Sequence, residues 1–240
     1  MSASPSTPEV VEEYHTGRVV LLATVAALGG FLFGFDTAVI NGAVNAVRAE
    51  FEMGSLVIGF AVSSALLGCV VGAFGAGRLA DRYGRIRVMV IAAILFTASA
   101  AGSGLAFGPV DLIIWRIVGG VGVGAASVIA PAYIAEISPA AIRGRLGSLQ
   151  QLAIVTGIFV ALLSDAYLAR AAGGAAEEHW LALEAWRWMF LSEIIPAVAY
   201  GVLALTIPES PRYLMTKARV DEARAALSQV LVTGVEERIV

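Results

Sequence analysis

The sequence predicts an all-α membrane protein, a bundle of six transmembrane helices, and three observations carry that prediction. Apolar residues fill 58% of the 240 positions and charged residues only 15%, where a soluble domain carries about 25% charged. Too few charges remain to cover a water-facing surface, which argues against a soluble enzyme. The mean hydropathy is +0.82, and the apolar residues gather into runs long enough to cross a hydrocarbon core, about 20 residues at 1.5 Å each. Transmembrane strands are disfavoured, because no ten-residue stretch alternates apolar and polar positions.

Taken in order, residues 1–17 are rich in Ser, Pro and Glu and read as a disordered cytoplasmic N-terminus. The bundle occupies 18–207, with spans at 19–40, 55–77, 88–110, 112–135, 146–164 and 188–207. The second, third and fifth spans carry no charge; the first, fourth and sixth carry one each, Asp36, Arg116 and Glu193. Residues 169–185 form an external loop. Beyond Pro208 the chain turns polar, and 208–240 reads as the start of a cytoplasmic helical linker, with helical spacing over 220–232. The first span is too long for a cleaved signal peptide and is expected to stay as an anchor.

Orientation follows from the basic residues. With the N-terminus inside, twelve Lys and Arg fall on the inner side and three, Arg48, Arg170 and Arg187, on the outer. Both ends are therefore expected in the cytoplasm, in the plasma or inner membrane. Asp111, Trp115, Trp180, Trp186 and Trp188 suit interfacial anchors, and Asp165 reads as interfacial. One cysteine, Cys69, and two histidines, His15 and His179, leave little for a metal site, and no cofactor is expected. No nucleotide-binding Gly-Lys-Ser/Thr loop is present, and the net charge of −3 gives no affinity for nucleic acid.

A faint repeat runs through the spans. Gly29-Gly30 and Gly34 in the first recur as Gly119-Gly120 and Gly124 in the fourth, an offset of 90. Three spans separate the copies, so the second copy is inverted, a pattern common in secondary transporters. Small residues also let membrane helices approach closely with no repeat at all, and the spacing alone leaves both readings open.

The three charges inside the spans are the informative ones. Counted from the outer span ends, Asp36, Arg116 and Glu193 fall at similar depth, about 6–8 Å in. Lone charges in hydrocarbon are costly, so they are expected to face inward and pair. An Asp–Arg pair beside a second carboxylate is a proton site with a competitor built in. Protonating Asp36 would release Arg116 toward Glu193, and each state would favour a different helix packing. The alternative is a static pair that fixes helix register. Gln150 and Gln151 begin the fifth span, and one must face inward if the other faces away. Phe33 suits either stacking on a ring or filling the core.

Longer motifs bring a family into view. Gly77-Arg78-Leu79-Ala80-Asp81-Arg82-Tyr83-Gly84-Arg85 follows the second span. Pro131-Ala132-Tyr133-Ile134-Ala135-Glu136-Ile137-Ser138-Pro139 closes the fourth and precedes Arg143-Gly144, with Ser148 and Gln151 beyond. Pro208-Glu209-Ser210-Pro211-Arg212-Tyr213-Leu214 follows the sixth. With these the chain resembles the N-terminal six-helix half of sugar porters of the major facilitator superfamily, over nearly everything after residue 18. The resemblance implies a fold with a 3+3 inverted repeat and transport by alternating access. It assigns proton coupling to Asp36, Arg116 and Glu193 and sugar contacts to Phe33 and Gln151. It also implies a cytoplasmic gate of Gly77, Asp81, Arg82, Gly84, Arg85, Glu136, Arg143, Arg145, Glu209 and Arg212, made partly with the other half. Phe35 stands where Tyr is usual, Ile86 replaces a usual basic residue, and Ile158 replaces a Gln found in some relatives.

The expectation is therefore a proton-coupled importer of a monosaccharide, present as its N-terminal half. Its partners would be a sugar, H+, membrane lipid and a C-terminal six-helix half or a second copy of the chain. The alternatives are a proton-independent facilitator, a porter of polyols or cyclic organic acids, and a non-transporting membrane sensor or partner protein. None of these is an enzyme.

Overall fold

The computed structural model describes residues 13–233 and 235. Its helices are α1 (Thr16–Glu50), α2 (Ser55–Tyr83), α3 (Arg85–Gly104), α4 (Pro109–Ile137), α5 (Arg143–Ala172), α6 (Ala185–Ser192), α7 (Ile194–Ala204), α8 (Pro211–Thr216) and α9 (Val220–Ser228). A hairpin of β1 (Glu178–Trp180) and β2 (Leu183–Glu184) fills the loop between α5 and α6. The helices from α1 to α5, and α6 with α7 as one unit, are long and apolar enough to make six membrane spans. The protein is an all-α, multi-pass membrane protein.

Local chemistry explains the boundaries. Pro109 opens α4, where its missing N–H costs nothing and its fixed φ already suits a helix. Gly84 lies between α2 and α3 at φ +99°, a region open to glycine alone, and so turns the chain with no intervening loop. Gly173 ends α5 in the left-handed conformation. The sixth span is broken at Glu193. Pro196 has no N–H to offer the carbonyl of Ser192, so α6 and α7 meet at a turn.

Several helices outrun the expected spans, most of all α1, which continues ten residues past position 40 to Glu50. Of the segment 1–17 expected to be disordered, 1–12 lie outside the described residues. Residues 13–17 are placed: Tyr14 bridges Leu231, Val232 N–H donates to Glu13 O at 2.8 Å, and α1 begins at Thr16. Both ends of the bundle thus meet on one side. The helix expected over 220–232 stops at Ser228, because residues beyond it turn to pair with this N-terminal segment. Residues 234 and 236–240 of the linker also lie outside the described residues.

The core follows the 3+3 inverted repeat. In lipid no hydrophobic force drives helices together, so close approach at small residues must hold them. A Cβ at Gly34 of α1 would collide with the carbonyl oxygen of Ile154 on α5, and one at Gly124 of α4 with that of Cys69 on α2. The same relation recurs for Gly157 against the Phe31 carbonyl and Gly72 against the Val121 carbonyl. Residues of α1 map onto α4 by adding 90, and residues of α2 onto α5 by adding 85. The α1–α5 and α4–α2 seams are therefore two copies of one interface. α1 is the most enclosed helix, while α2 and α5 keep broad apolar faces exposed, among them Leu66, Phe74, Phe159 and Leu163.

Candidate functional site

The intramembrane charges come together in the middle of the bundle. Arg116 Nη1 donates to Asp36 Oδ1 at 2.6 Å, and the two residues are only 2% and 3% exposed. The same nitrogen lies 3.4 Å from the Asp36 carbonyl oxygen, and the guanidinium sits 6.0 Å from the Phe190 ring centre. Glu193, 1% exposed at the α6–α7 break, has Asp36 and Arg116 as its electrostatic neighbours. Its Oε1 and Arg116 Nε are buried with no hydrogen-bond partner among the described residues. A carboxylate pair-partner, a second carboxyl and a guanidinium with a donor to spare thus share one buried pocket. Gly119 makes room there, since a Cβ at that position would press on Ser99 and lie 3.7 Å from Asp36 Oδ1.

A cavity of about 250 Å³ opens onto this group between α1, α2 and α4. Phe33, Asp36, Thr37, Ser63, Cys69 and Arg116 contribute to its lining. Phe33 therefore stands one helical turn from the charge pair on a shared wall. Of the two glutamines, Gln150 is the buried one; it lies against α1, where a Cβ at Gly30 would be 2.6 Å from its Nε2. Gln151 is exposed on α5 and lies outside the lining of that cavity.

The second cluster lies at the bundle end that carries both chain termini, and Arg85 is its hub. Its guanidinium bonds Glu136 twice at 3.0 Å, pairs with Asp81 at 3.2 Å and donates to the Ala80 carbonyl at 3.0 Å. Glu209 closes the other side. Its carboxylate accepts from the backbone N–H of Arg85 at 2.9 Å and of Ile86 at 3.2 Å, capping the start of α3. Ser210 donates to Glu136, and Tyr213 donates to the Arg82 carbonyl at 3.2 Å. Gly84 is needed here twice over, since a Cβ on it would collide with Glu209 Oε2. Arg143 donates to the Ser138 carbonyl at 3.4 Å. Gly77 faces open space, Arg82 is exposed over the Tyr83 ring, and Arg145 and Arg212 are exposed with no ion pair among the described residues.

Three positions depart from the sequence reading. Asp165, expected at the interface, is 3% exposed and packs against Gly42 of α1. The extra length of α1 encloses it. Trp186 is no interfacial anchor; it is fully buried between Phe51 and Phe190, whereas Trp180 and Trp188 stack on each other nearer the surface. Arg187, counted only as an outer charge, ties together the bundle end opposite both termini. It pairs with Glu184 at 2.6 Å, donates to the Ala106 carbonyl at 2.7 Å and lies over the Trp186 ring. Ser210 and Tyr133, whose hydroxyl donates to the Pro208 carbonyl at 2.7 Å, also went unassigned, although both lie inside the quoted motifs. Among the described residues no group of three or more His, Cys, Asp or Glu side chains gathers where it could hold a metal ion.

Comparison with known proteins gives a consistent picture. The family described as "Sugar (and other) transporter" matches residues 22–239. A glucose transport protein of Synechocystis sp. (strain ATCC 27184 / PCC 6803 / Kazusa) is 62% identical over 222 residues, covering 92% of this chain and 47% of the relative. A D-xylose-proton symporter of Escherichia coli (strain K12) is 37% identical over 245 residues, covering 91% of this chain and 49% of the relative. The structure superposes on the proton:xylose symporter XylE bound to 6-bromo-6-deoxy-D-glucose with a TM-score of 0.86 at 36% identity, over 94% of this chain and 52% of that one. The chain spans about half the length of the curated relatives it matches.

Proposed function

This chain belongs to the sugar transporter family, the sugar porters of the major facilitator superfamily, and we propose that it forms the N-terminal bundle of a proton-coupled monosaccharide importer. It is a transport protein and not an enzyme. The observation that carries the coupled reading is the buried Asp36–Arg116 pair with Glu193 beside it. A proton arriving on Asp36 abolishes that carboxylate's hold on Arg116, and the guanidinium turns to Glu193. Because Glu193 sits at the break made by Pro196, the change is handed to the joint between α6 and α7 rather than to a stiff helix. Loss of the proton restores the first pairing.

Alternating access needs a second bundle, which we assign to a C-terminal six-helix half. The exposed apolar faces of α2 and α5 suit its docking, and the match to half of each relative supports the arrangement. Sugar would lie between the halves, met from this side by Phe33 and Gln151. The network around Arg85 and Glu209 would keep the end of this bundle rigid. Asp81, Arg82, Arg143, Arg145 and Arg212 would remain on its surface to gate against the other half from the cytoplasm. Support for that sidedness is the twelve-to-three distribution of basic residues, with both termini at the inner face of the plasma or inner membrane.

Sugar uptake by the complete transporter with and without a protonophore, repeated for Asp36→Asn, tests the reading. Accumulation that is lost in both cases while sugar exchange survives supports symport. Uptake indifferent to the protonophore makes the protein a facilitator.

A further inference from the structure

We propose that the outward groove between α3 and α7 binds an anionic glycerophospholipid, with an acyl chain along the groove and the phosphate on Arg87. Two adjoining hollows of about 490 and 300 Å³ share Val90 and Leu205 and together form the groove. Small side chains set its floor back, Ala98 and Ala101 on α3 and Ala197 and Gly201 on α7, while Ile94 and Val198 stand exposed beside them. Its one hydroxyl, on Thr97, is already spent on the Ala93 carbonyl at 2.8 Å, so the groove asks for an apolar filler and nothing else.

The charge sits at one end only. Arg87 lines the second hollow, on the first turn of α3, and is exposed. Among the described residues it makes no ion pair or hydrogen bond, in contrast to Arg85 two positions earlier, whose donors are taken by Glu136, Asp81 and Ala80. From Arg87 to Ala101 is fourteen positions, about 21 Å of helix. The groove therefore starts at headgroup height and follows α3, a full span of 20 residues, for most of its length. A docked helix would leave Arg87 unanswered, whereas a phospholipid supplies an acyl chain and one anion at the right end. The site holds whichever way the chain is oriented and whatever it transports.

Lipid retention by the purified complete transporter, read by native mass spectrometry during titration with phosphatidylglycerol or phosphatidylcholine, tests this. A single arginine at an anionic headgroup is worth about fivefold, so the wild type should retain phosphatidylglycerol about fivefold better. Arg87→Gln should level the two lipids. Ala98→Trp, which fills the floor, should lower retention of both. Val198→Trp fills the groove from the other wall and replaces it if Ala98→Trp does not give a monodisperse protein. Equal retention of both lipids by the wild type, a preference that survives Arg87→Gln, or unchanged retention in a filled groove overturns the proposal.

Discussion

Asp36 and Arg116 lie eighty residues apart on oppositely directed helices and meet, buried, at 2.6 Å, with Glu193 as their neighbour. Buried pairs of this kind contribute little net stability, because desolvation of both ions offsets their attraction, but leaving one partner alone is costly. That asymmetry lets structural and transport roles be separated.

Asp36→Ala should destabilise the protein by about 3–5 kcal/mol by stranding Arg116. The double variant Asp36→Leu/Arg116→Met should recover most of that loss and still fail to accumulate sugar. Unfolding in detergent followed by helical circular dichroism gives the first quantity, and uptake in vesicles gives the second. A double variant that transports uphill would remove the charge pair from the mechanism.

The two glutamines should separate in the same way. Gln150→Leu should lower stability with little specific effect on sugar affinity, since its side chain is packed against α1 at Gly30. Gln151→Leu, at an exposed position, should leave the melting temperature unchanged and raise the KM for sugar about tenfold, as the loss of a hydrogen bond of about 1.4 kcal/mol would. Transport kinetics paired with thermal melts distinguish them.

Gly34→Ala and Gly124→Ala should be near-equivalent, each costing at least about 1–3 kcal/mol, the usual range for overpacking. Both drive a methyl into a backbone carbonyl at symmetry-related seams, where no side chain can swing aside. Markedly unequal losses in a chemical unfolding series would show that the two seams share geometry without sharing energetics.

Gly84→Ala should cost about 1–3 kcal/mol for a φ of +99° with extended ψ, and more because the methyl displaces Glu209. Glu209→Gln keeps the cap with weaker acceptors and should cost less. Hydrogen exchange at the first amides of α3 reports the difference directly.

At the bundle end opposite both termini, burial alone would raise the Glu184 carboxyl, but a hydrogen bond from its own backbone N–H and the Arg187 guanidinium hold it below its ordinary value of 4.5. A depressed carboxylate stabilises the fold fully above the ordinary value, and that contribution is lost as the pH falls through the folded value. The hairpin should therefore exchange its amides faster, relative to the bundle core, only below about pH 4.5. Arg187→Gln should loosen it at neutral pH, by about 2 kcal/mol from the lost charged hydrogen bonds, and flatten the acid dependence.

Much of this architecture was legible without coordinates. A transmembrane helix is set by composition over about 20 consecutive residues, so the six spans and the isolated charges Asp36, Arg116 and Glu193 stand out in one dimension. Turn chemistry is equally local, and Gly84 and Gly173 mark helix boundaries through their own backbones, whereas the expected third span, 88–110, ran through Pro109, which opens α4, and past Gly104, where α3 ends. Pro196 carried the signal for the break at Glu193, though a continuous apolar span hides it. The offset of 90 between glycine clusters hinted at the inverted repeat, and it became an argument once the partner offset of 85 appeared across both seams.

What the sequence determined by itself is therefore the set of spans, their alternation through the membrane and the inventory of costly buried charges, because hydropathy and backbone preference act along the chain. Only the tertiary structure decided which of Gln150 and Gln151 faces inward, that α1 runs far enough to bury Asp165, that Trp186 is core, and that Arg85 spends its donors within its own bundle. Each of those outcomes depends on what another helix brings to the same depth, and depth is shared by residues tens of positions apart.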